Sequence, residues 1–129
     1  MPRNSGDAGP PSLTIRLRAA LTDAMSSRDK AATAAIRSAL GAIGNAEAIA
    51  APAHAAGTSS LYVAGAVSGL GRAEASRRRL SEFEISQIVA AEIAEREAAA
   101  AELDKLGHAG EAERLLREAL VLVRIAGQR

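Results

Sequence analysis

The sequence predicts an all-α fold, and three observations support that prediction. The chain of 129 residues is rich in Ala, Leu, Glu and Arg, which favour helix, and its few β-branched residues show no sustained alternation. Apolar residues recur at helical spacing in four segments, three of which begin with a capping residue. Tyr62 and Phe83 are the only aromatic residues, so the core must be built from Leu, Ile, Val and Ala. We expect a helical bundle of about four main helices and no sheet.

The first predicted helix runs from Leu13 to Met25. Ser12 immediately precedes it and is a suitable N-cap, because a serine hydroxyl can accept a hydrogen bond from a free backbone N–H of the first turn. Leu13, Leu17, Leu21 and Met25 then repeat every four residues, which predicts one apolar face.

The second predicted helix runs from Asp29 to Ala50, with Ser26 and Asp29 as a capping pair and Pro52 as the stop. Gly41 and Gly44 lie inside it, where each glycine costs about 1 kcal/mol relative to alanine. Either the helix frays near Gly44, or the glycines allow another backbone to pack closely. We expect the second. The apolar face consists of Ile36, Leu40 and Ile43.

A C-terminal antiparallel hairpin is predicted from a third helix, Glu82 to Leu106, and a fourth, Glu111 to Ala126. Ser81 and Glu84 form a capping box at its start, and Leu80 and Ile85 occupy the positions of a hydrophobic staple. Gly107 is placed to close the third helix in the left-handed conformation. The predicted apolar stripe on the fourth helix consists of Leu115, Leu116, Ala119, Leu120, Leu122 and Val123.

The remaining segments predict a single domain over residues 12–126. Residues 1–11 are polar and rich in Pro and Gly, without the apolar stretch of a signal peptide, and are expected to form a disordered tail. Residues 52–79 carry scattered glycines without helical periodicity and are expected to form a flexible insert. The absence of cysteine fits a cytoplasmic protein.

Composition and motifs offer little support for catalysis. His54 and His108 have no ligands at zinc spacing around them, and both are expected to be exposed. We predict no catalytic residue, no cofactor and no metal. The carboxylates of the third helix are expected to lie on a solvated face, where Glu92 pairs with Arg96 and Glu102 pairs with Lys105.

Charge is nearly balanced over the whole chain, at +1, but is unevenly distributed. Arg77, Arg78 and Arg79 form a basic triplet just before the acidic third helix. This triplet is either a patch that contacts phosphate groups or a flank of the acidic helix, and the sequence favours the second interpretation.

Two sets of residues carry a resemblance to a known family. In the N-terminal half they are Ala24, Met25, Arg28, Asp29, Ile36, Arg37, Leu40, Ala42, Ile43, Asn45, Ala46 and Glu47. In the C-terminal half they are Ile88, Glu92, Ile93, Glu95, Arg96, Ala98, Ala99, Gly107 and Leu115. In this combination the chain resembles the GatB/YqeY family from about Leu13 to Leu122, including a Gly/Ala-rich insert seen in some members.

The resemblance implies an all-helical domain related to the tail of the B subunit of glutamyl/aspartyl-tRNA amidotransferase. That tail helps to hold tRNA, while amide transfer happens elsewhere in the enzyme. The family is associated with carbon–nitrogen ligase activity that uses glutamine as amido donor, yet no catalytic residue of the amidotransferase lies in the region of resemblance. The resemblance therefore implies a non-catalytic module that binds tRNA or a tRNA-amidotransferase-like assembly. The alternative is a protein–protein interaction domain with no nucleic acid partner.

If tRNA is the partner, the expected contacts are made by arginines on polar helix faces and in the insert. They are Arg28, Arg37, Arg77, Arg78 and Arg79. A competing possibility is that Arg37 and Glu47 have a structural role and link helices through ion pairs. Without aromatic platforms for stacking bases, binding would depend on shape and charge.

Overall fold

Four helices follow one another in the computed structural model of the chain, which describes residues 11–50 and 79–128. They are α1 (Leu13–Ser27), α2 (Lys30–Ala50), α3 (Glu82–Lys105) and α4 (Ala109–Ala126). No strand occurs within those two ranges, so the predicted all-α bundle is confirmed. None of the four helices is both long and apolar enough to cross a bilayer. The predicted tail and insert lie outside the described residues, apart from Pro11 and Arg79.

Helix α1 begins as predicted and ends two residues later than predicted. The Ser12 hydroxyl accepts a hydrogen bond from the backbone N–H three residues further on, at 3.3 Å, which confirms it as the N-cap. Leu17 is fully buried, but Met25 is half exposed and Ala24 is buried in its place. The strict spacing of four drifts off a helical face, because a helix has 3.6 residues per turn.

The turn between α1 and α2 is a Schellman motif with an arginine at its left-handed position. The N–H of Arg28 donates to the carbonyl oxygen of Met25 at 3.2 Å, and the N–H of Asp29 donates to that of Ala24 at 2.9 Å. Arg28 has φ of 60°, a conformation that usually requires glycine. The predicted capping role of Ser26 is wrong, because α1 continues through Ser26.

Helix α2 is capped by Asp29 alone, whose Oδ1 accepts from the N–H of Ala32 at 3.0 Å. The helix runs without a break past Gly41 and Gly44 to Ala50, as predicted. The expected close approach of another backbone does not occur among the described atoms, because none of them lies within 4 Å of a Cβ built on either glycine.

The capping box that starts α3 is confirmed in both directions. The Ser81 N–H donates to Glu84 Oε1 at 2.8 Å, and the Glu84 N–H donates to Ser81 Oγ at 3.0 Å. Gly107 ends the helix with φ of 87°, also as predicted, while Leu106 is exposed rather than buried. Because the closure at Gly107 reverses the chain at once, α4 begins at Ala109, two residues earlier than predicted.

The main core is shared by α1, α2, the first part of α3 and the last part of α4. Its most buried large side chains are Leu17, Ile36, Val89 and Leu122. Beyond this core, the buried residues of the α3–α4 hairpin are small, namely Ala100, Ala112 and Ala119, apart from Glu118. The tip of the hairpin is therefore a two-helix projection held by alanine contacts.

The predicted apolar stripe of α4 is partly wrong. Ala119 and Leu122 are buried, but Leu116, Leu120 and Val123 are 49%, 46% and 44% exposed. The side of α4 that carries the small alanines packs against α3, because small side chains allow the two helices to approach closely. The three larger residues are therefore left on the outside. They are spaced at i, i+4 and i+7 and form one line on the helix, which we name the α4 stripe.

Candidate functional site

The basic residues around the α1–α2 turn form the first candidate site, which we name the elbow and define as Arg28, Lys30 and Arg37. All three are exposed. Arg37 Nη2 donates to Met25 Sδ at 3.8 Å, which places the Arg37 side chain against the last turn of α1. No elbow residue has an ion-pair partner among the described residues. The structure thus brings together two predicted contact residues, Arg28 and Arg37, and adds Lys30.

The structure separates Arg79 from the elbow. The N–H of Leu13 donates to Glu82 Oε1 at 3.1 Å, so the start of α3 lies beside the start of α1. Arg79, just before α3, is exposed at that end, whereas Arg28 lies at the other end of α1, about 22 Å away at 1.5 Å per residue. Arg77 and Arg78 lie outside the described residues.

The alternative role for Arg37 and Glu47, in which they link helices through ion pairs, finds no contact among the described residues to support it. The two residues lie on the same helix, ten positions or about 15 Å apart. Arg37 is exposed and Glu47 is half-buried, and neither forms an ion pair with another described residue.

A polar cluster connects α2, α3 and α4. Arg96 on α3 donates from Nη1 to Glu92 Oε1 at 2.8 Å and from Nε to Glu118 Oε1 at 2.9 Å. The Ser38 hydroxyl on α2 donates to the same Glu92 oxygen at 2.6 Å. The side chains of Arg96, Glu92 and Glu118 are only 12%, 13% and 8% exposed. The predicted Glu92–Arg96 pair is therefore confirmed, but it does not lie on a solvated face as expected.

Electrostatics explains how this cluster tolerates its burial. Burial lowers the pKa of Arg96, but hydrogen bonds to Glu92 and Glu118 and the two negative charges outweigh that effect, and the pKa lies above its ordinary value. Two carboxylates around one guanidinium make an interhelical clamp. Glu118 was not predicted from the sequence. Its position on the apolar side of a helix could have indicated a buried acid that needs a cationic partner.

A groove lies between α3 and α4 near the hairpin turn, with a volume of about 450 Å³. Its floor includes Ala100, Ala112 and the first residue of the α4 stripe, Leu116. Its acidic residues are Glu97, Asp104 and Glu113. The groove is thus apolar at its base and negative at its edges, which suits an apolar group that carries a positive charge.

Two further predictions concern the histidines and metal binding. His108 is exposed, as predicted, and occupies the N-cap position of α4 without a side-chain cap bond. Within the described ranges, no three His, Cys, Asp or Glu side chains are grouped to hold a metal. His54 lies outside those ranges, and the expected absence of cofactors stays a prediction.

The fold and these surfaces define a class, an all-α bundle with a projecting C-terminal hairpin. Comparisons with known proteins do not identify a family, because no family model, no curated protein and no solved structure matches the chain. The resemblance to the GatB/YqeY family therefore rests on the residues quoted above.

Proposed function

We propose that this chain is a non-catalytic helical module that holds tRNA, alone or in a tRNA-amidotransferase-like assembly, through the elbow. The all-α fold is the one that the resemblance to the GatB/YqeY family implies, and the elbow contains two of the arginines expected to contact tRNA. The negative charge of α3 also favours the elbow, rather than α3, as the surface that contacts phosphate. Its seven acids and two bases give a net charge of −5, which repels phosphate from that helix.

The backbone of Arg28 is the observation that carries the proposal. An L-residue in the left-handed conformation costs about 1 to 2 kcal/mol, and glycine would occupy this position without that cost. Arg28 is the one non-glycine residue with positive φ among those described. Strained positions of this kind often occur at functional sites. The Arg28 guanidinium is exposed and has no partner within the described protein, so it is free to contact a phosphate group. Such a contact would explain why the strained backbone is tolerated.

The elbow suits a phosphate backbone better than bases. It offers three cations against one nearby carboxylate, that of Asp29, which caps α2. The only aromatic residue in the described ranges is Phe83, which lies near the start of α3, away from the elbow. Three phosphate contacts predict a slope of about −2 to −3 for log K against log salt, or a loss of about 30-fold between 50 and 200 mM salt.

Lys30→Glu tests the proposal without harming the fold. Lys30 is the first residue of α2, and an acid in the first turn is favoured by the helix dipole. We expect stability to be maintained or to rise, while tRNA affinity falls and the salt slope decreases by about 1. Fluorescence anisotropy with labelled tRNA over a salt series measures both quantities.

Arg114→Glu is the matched control, because Arg114 is an exposed helical residue on α4 and its replacement makes the same change in charge. Equal loss of affinity in the control would show that only net charge matters. Absence of wild-type binding even at low salt would refute the tRNA function.

Arg28→Gly separates function from folding more sharply. Glycine relieves the left-handed strain, so we expect the free energy of unfolding to rise by up to about 1 kcal/mol. Affinity for tRNA should fall, because one phosphate contact is lost. Greater stability with unchanged affinity would show that Arg28 has no binding role.

A second candidate function, protein–protein interaction, is favoured by a separate observation. The α4 stripe leaves three large aliphatic residues about half exposed in one line, next to the groove. Contiguous apolar surface of this kind often marks an interaction site.

A further inference from the structure

The outer face of the α3–α4 hairpin is apolar at its centre and oppositely charged at its two ends. The α4 stripe occupies the centre. Toward the hairpin turn, the groove places Glu97, Asp104 and Glu113 at the acidic end. Toward the C-terminus, the exposed Arg124 makes the other end basic, while Arg117 lies next to Leu116 on the acidic side of the centre.

The cations of this face, Arg124 at the basic end and Arg117 near the centre, are available to a partner. Neither Arg117 nor Arg124 has an ion pair among the described residues, although Glu113 lies only one turn before Arg117. Helical spacing places Glu113, Arg117 and Arg124 in one line beside the stripe, since they are separated by four and seven residues.

We propose that this face pairs with the same face of a second copy of the chain, with the two α4 helices antiparallel about a two-fold axis near Leu120. Such an interface is isologous, so each copy presents one patch that must complement itself. A surface that is acidic at one end and basic at the other does so only in the antiparallel arrangement. A parallel copy would place acid on acid and base on base.

The residue positions fit this arrangement along the helix axis. With the axis between residues 119 and 120, Leu116 of one copy faces Val123 of the other, and the two Leu120 side chains meet near the axis. Arg124 then lies opposite position 115, about 3 Å along the helix from Glu113 of the other copy. That offset is within reach of an arginine side chain.

The size of the face predicts a weak dimer. One helix seam with the groove beside it contains fewer residues than the roughly 20 to 30 per partner of a standard stable interface. The exposed fractions of the stripe residues, 44% to 49%, also show that they are already partly covered in the single chain. We therefore expect a dissociation constant in the range of about 10 to 100 µM.

Sedimentation equilibrium of the full chain, from about 1 µM to 1 mM, measures this constant. Leu120→Glu should weaken the dimer at least about tenfold, because it places two like charges near the axis. Ile15→Glu is the control: Ile15 is exposed to a similar degree, 55%, but lies on α1. Circular dichroism verifies that both variants remain helical.

Exchange of charges tests the antiparallel direction. Glu113→Arg and Arg124→Glu should each weaken the dimer, because each places like charges opposite one another. The double variant should recover most of the wild-type affinity, because the pair is restored with its polarity reversed. A wild-type chain that is monomeric over the whole range would overturn the proposal. So would a dimer that Leu120→Glu does not affect, or single-variant losses that the double variant does not recover.

Discussion

Replacing Arg96 by methionine is the most informative perturbation of this fold. Arg96 connects α3 to α4 through Glu118 and holds Glu92, which in turn accepts from Ser38 on α2. Methionine keeps much of the length of the arginine side chain and removes its charge and all its donors. The variant therefore tests the clamp rather than the packing.

The size of the effect follows from the burial of the two carboxylates. Glu92 and Glu118 are 13% and 8% exposed, so removal of the guanidinium leaves two poorly hydrated charges without their cation. Breaking a buried pair in this way costs about 3 to 5 kcal/mol. A domain of this size has a total stability of about 5 to 15 kcal/mol, so the variant should be close to unfolding if the wild-type value lies near the lower limit.

Urea unfolding followed by far-UV circular dichroism measures the loss. With a slope of about 1.5 kcal/mol per molar urea, a loss of about 4 kcal/mol lowers the midpoint by nearly 3 M. Lys105→Met is the control, because the Glu102–Lys105 pair spans 3.5 Å but is 70% and 73% exposed. Its removal should change stability by no more than about 0.5 kcal/mol.

A triple variant with apolar residues in place of Glu92, Arg96 and Glu118 completes the experiment. It removes both the charges and their pairing, so stability should return close to the wild-type value. If Arg96→Met costs less than about 1 kcal/mol, like the exposed control, the cluster is not desolvated and the reasoning is refuted.

Three further predictions concern the core and the helix ends. Gly41→Ala and Gly44→Ala should each raise the free energy of unfolding by up to about 1 kcal/mol, and a loss at either position would contradict their open surroundings. Leu122→Ala should cost about 2 to 5 kcal/mol and Leu116→Ala less than about 1, because only Leu122 is buried; equal costs would contradict the observed orientation of α4. Ser81→Ala should cost about 1 kcal/mol, which an unchanged thermal midpoint would disprove.

Features determined by a few neighbouring residues could be predicted from the sequence. The cap at Ser12, the capping box at Ser81 and the turn at Gly107 each depend on residues within one or two turns of helix, and all three are confirmed. The turn at Arg28 has the same backbone hydrogen bonds as the turn at Gly107, but its usual signal, a glycine, is missing. The turn at Arg28 therefore could not be predicted from the position of a glycine.

Features determined by distant contacts could not be predicted. The sequence of α4 contains enough Leu and Val for two apolar faces, and the choice between them depends on how closely the alanines of α3 and α4 approach. Likewise, the pair of Glu92 with Arg96 is local, while its burial depends on Glu118 and Ser38 from other helices. Arg28 and Arg37 are three and twelve residues from Met25, and only the fold shows that they share one surface with it.

 Contacts between different helices leave no pattern in the sequence of any one helix, so they could not be predicted from it.

The candidate site divides in the same way. Exposure of the arginines could be predicted from the polar helix faces, but not their grouping. Arg37 joins Arg28 because its side chain reaches back across the turn to Met25, and Arg79 is excluded because α3 starts at the opposite end of α1. Lys30 was missed because the resemblance to a known family does not include its position.

Arg28 and the α4 stripe both break local rules without helping the fold. Glycine would hold the α1–α2 turn at lower cost than Arg28, and polar residues would solvate the outside of α4 better than the α4 stripe. Gly41, Gly44 and the exposed Ile49 also depart from local rules, but each stands alone, whereas Arg28 carries a charge that is unpaired among the described residues and the α4 stripe is a line of three residues. These two features are therefore the places where a requirement other than stability is expected. They differ in chemistry, since one is an exposed cation and the other an aliphatic line between opposite charges. The first suits a polyanion and the second a protein surface. We therefore propose the elbow and the outer face of the hairpin as two separate binding surfaces rather than as parts of one site.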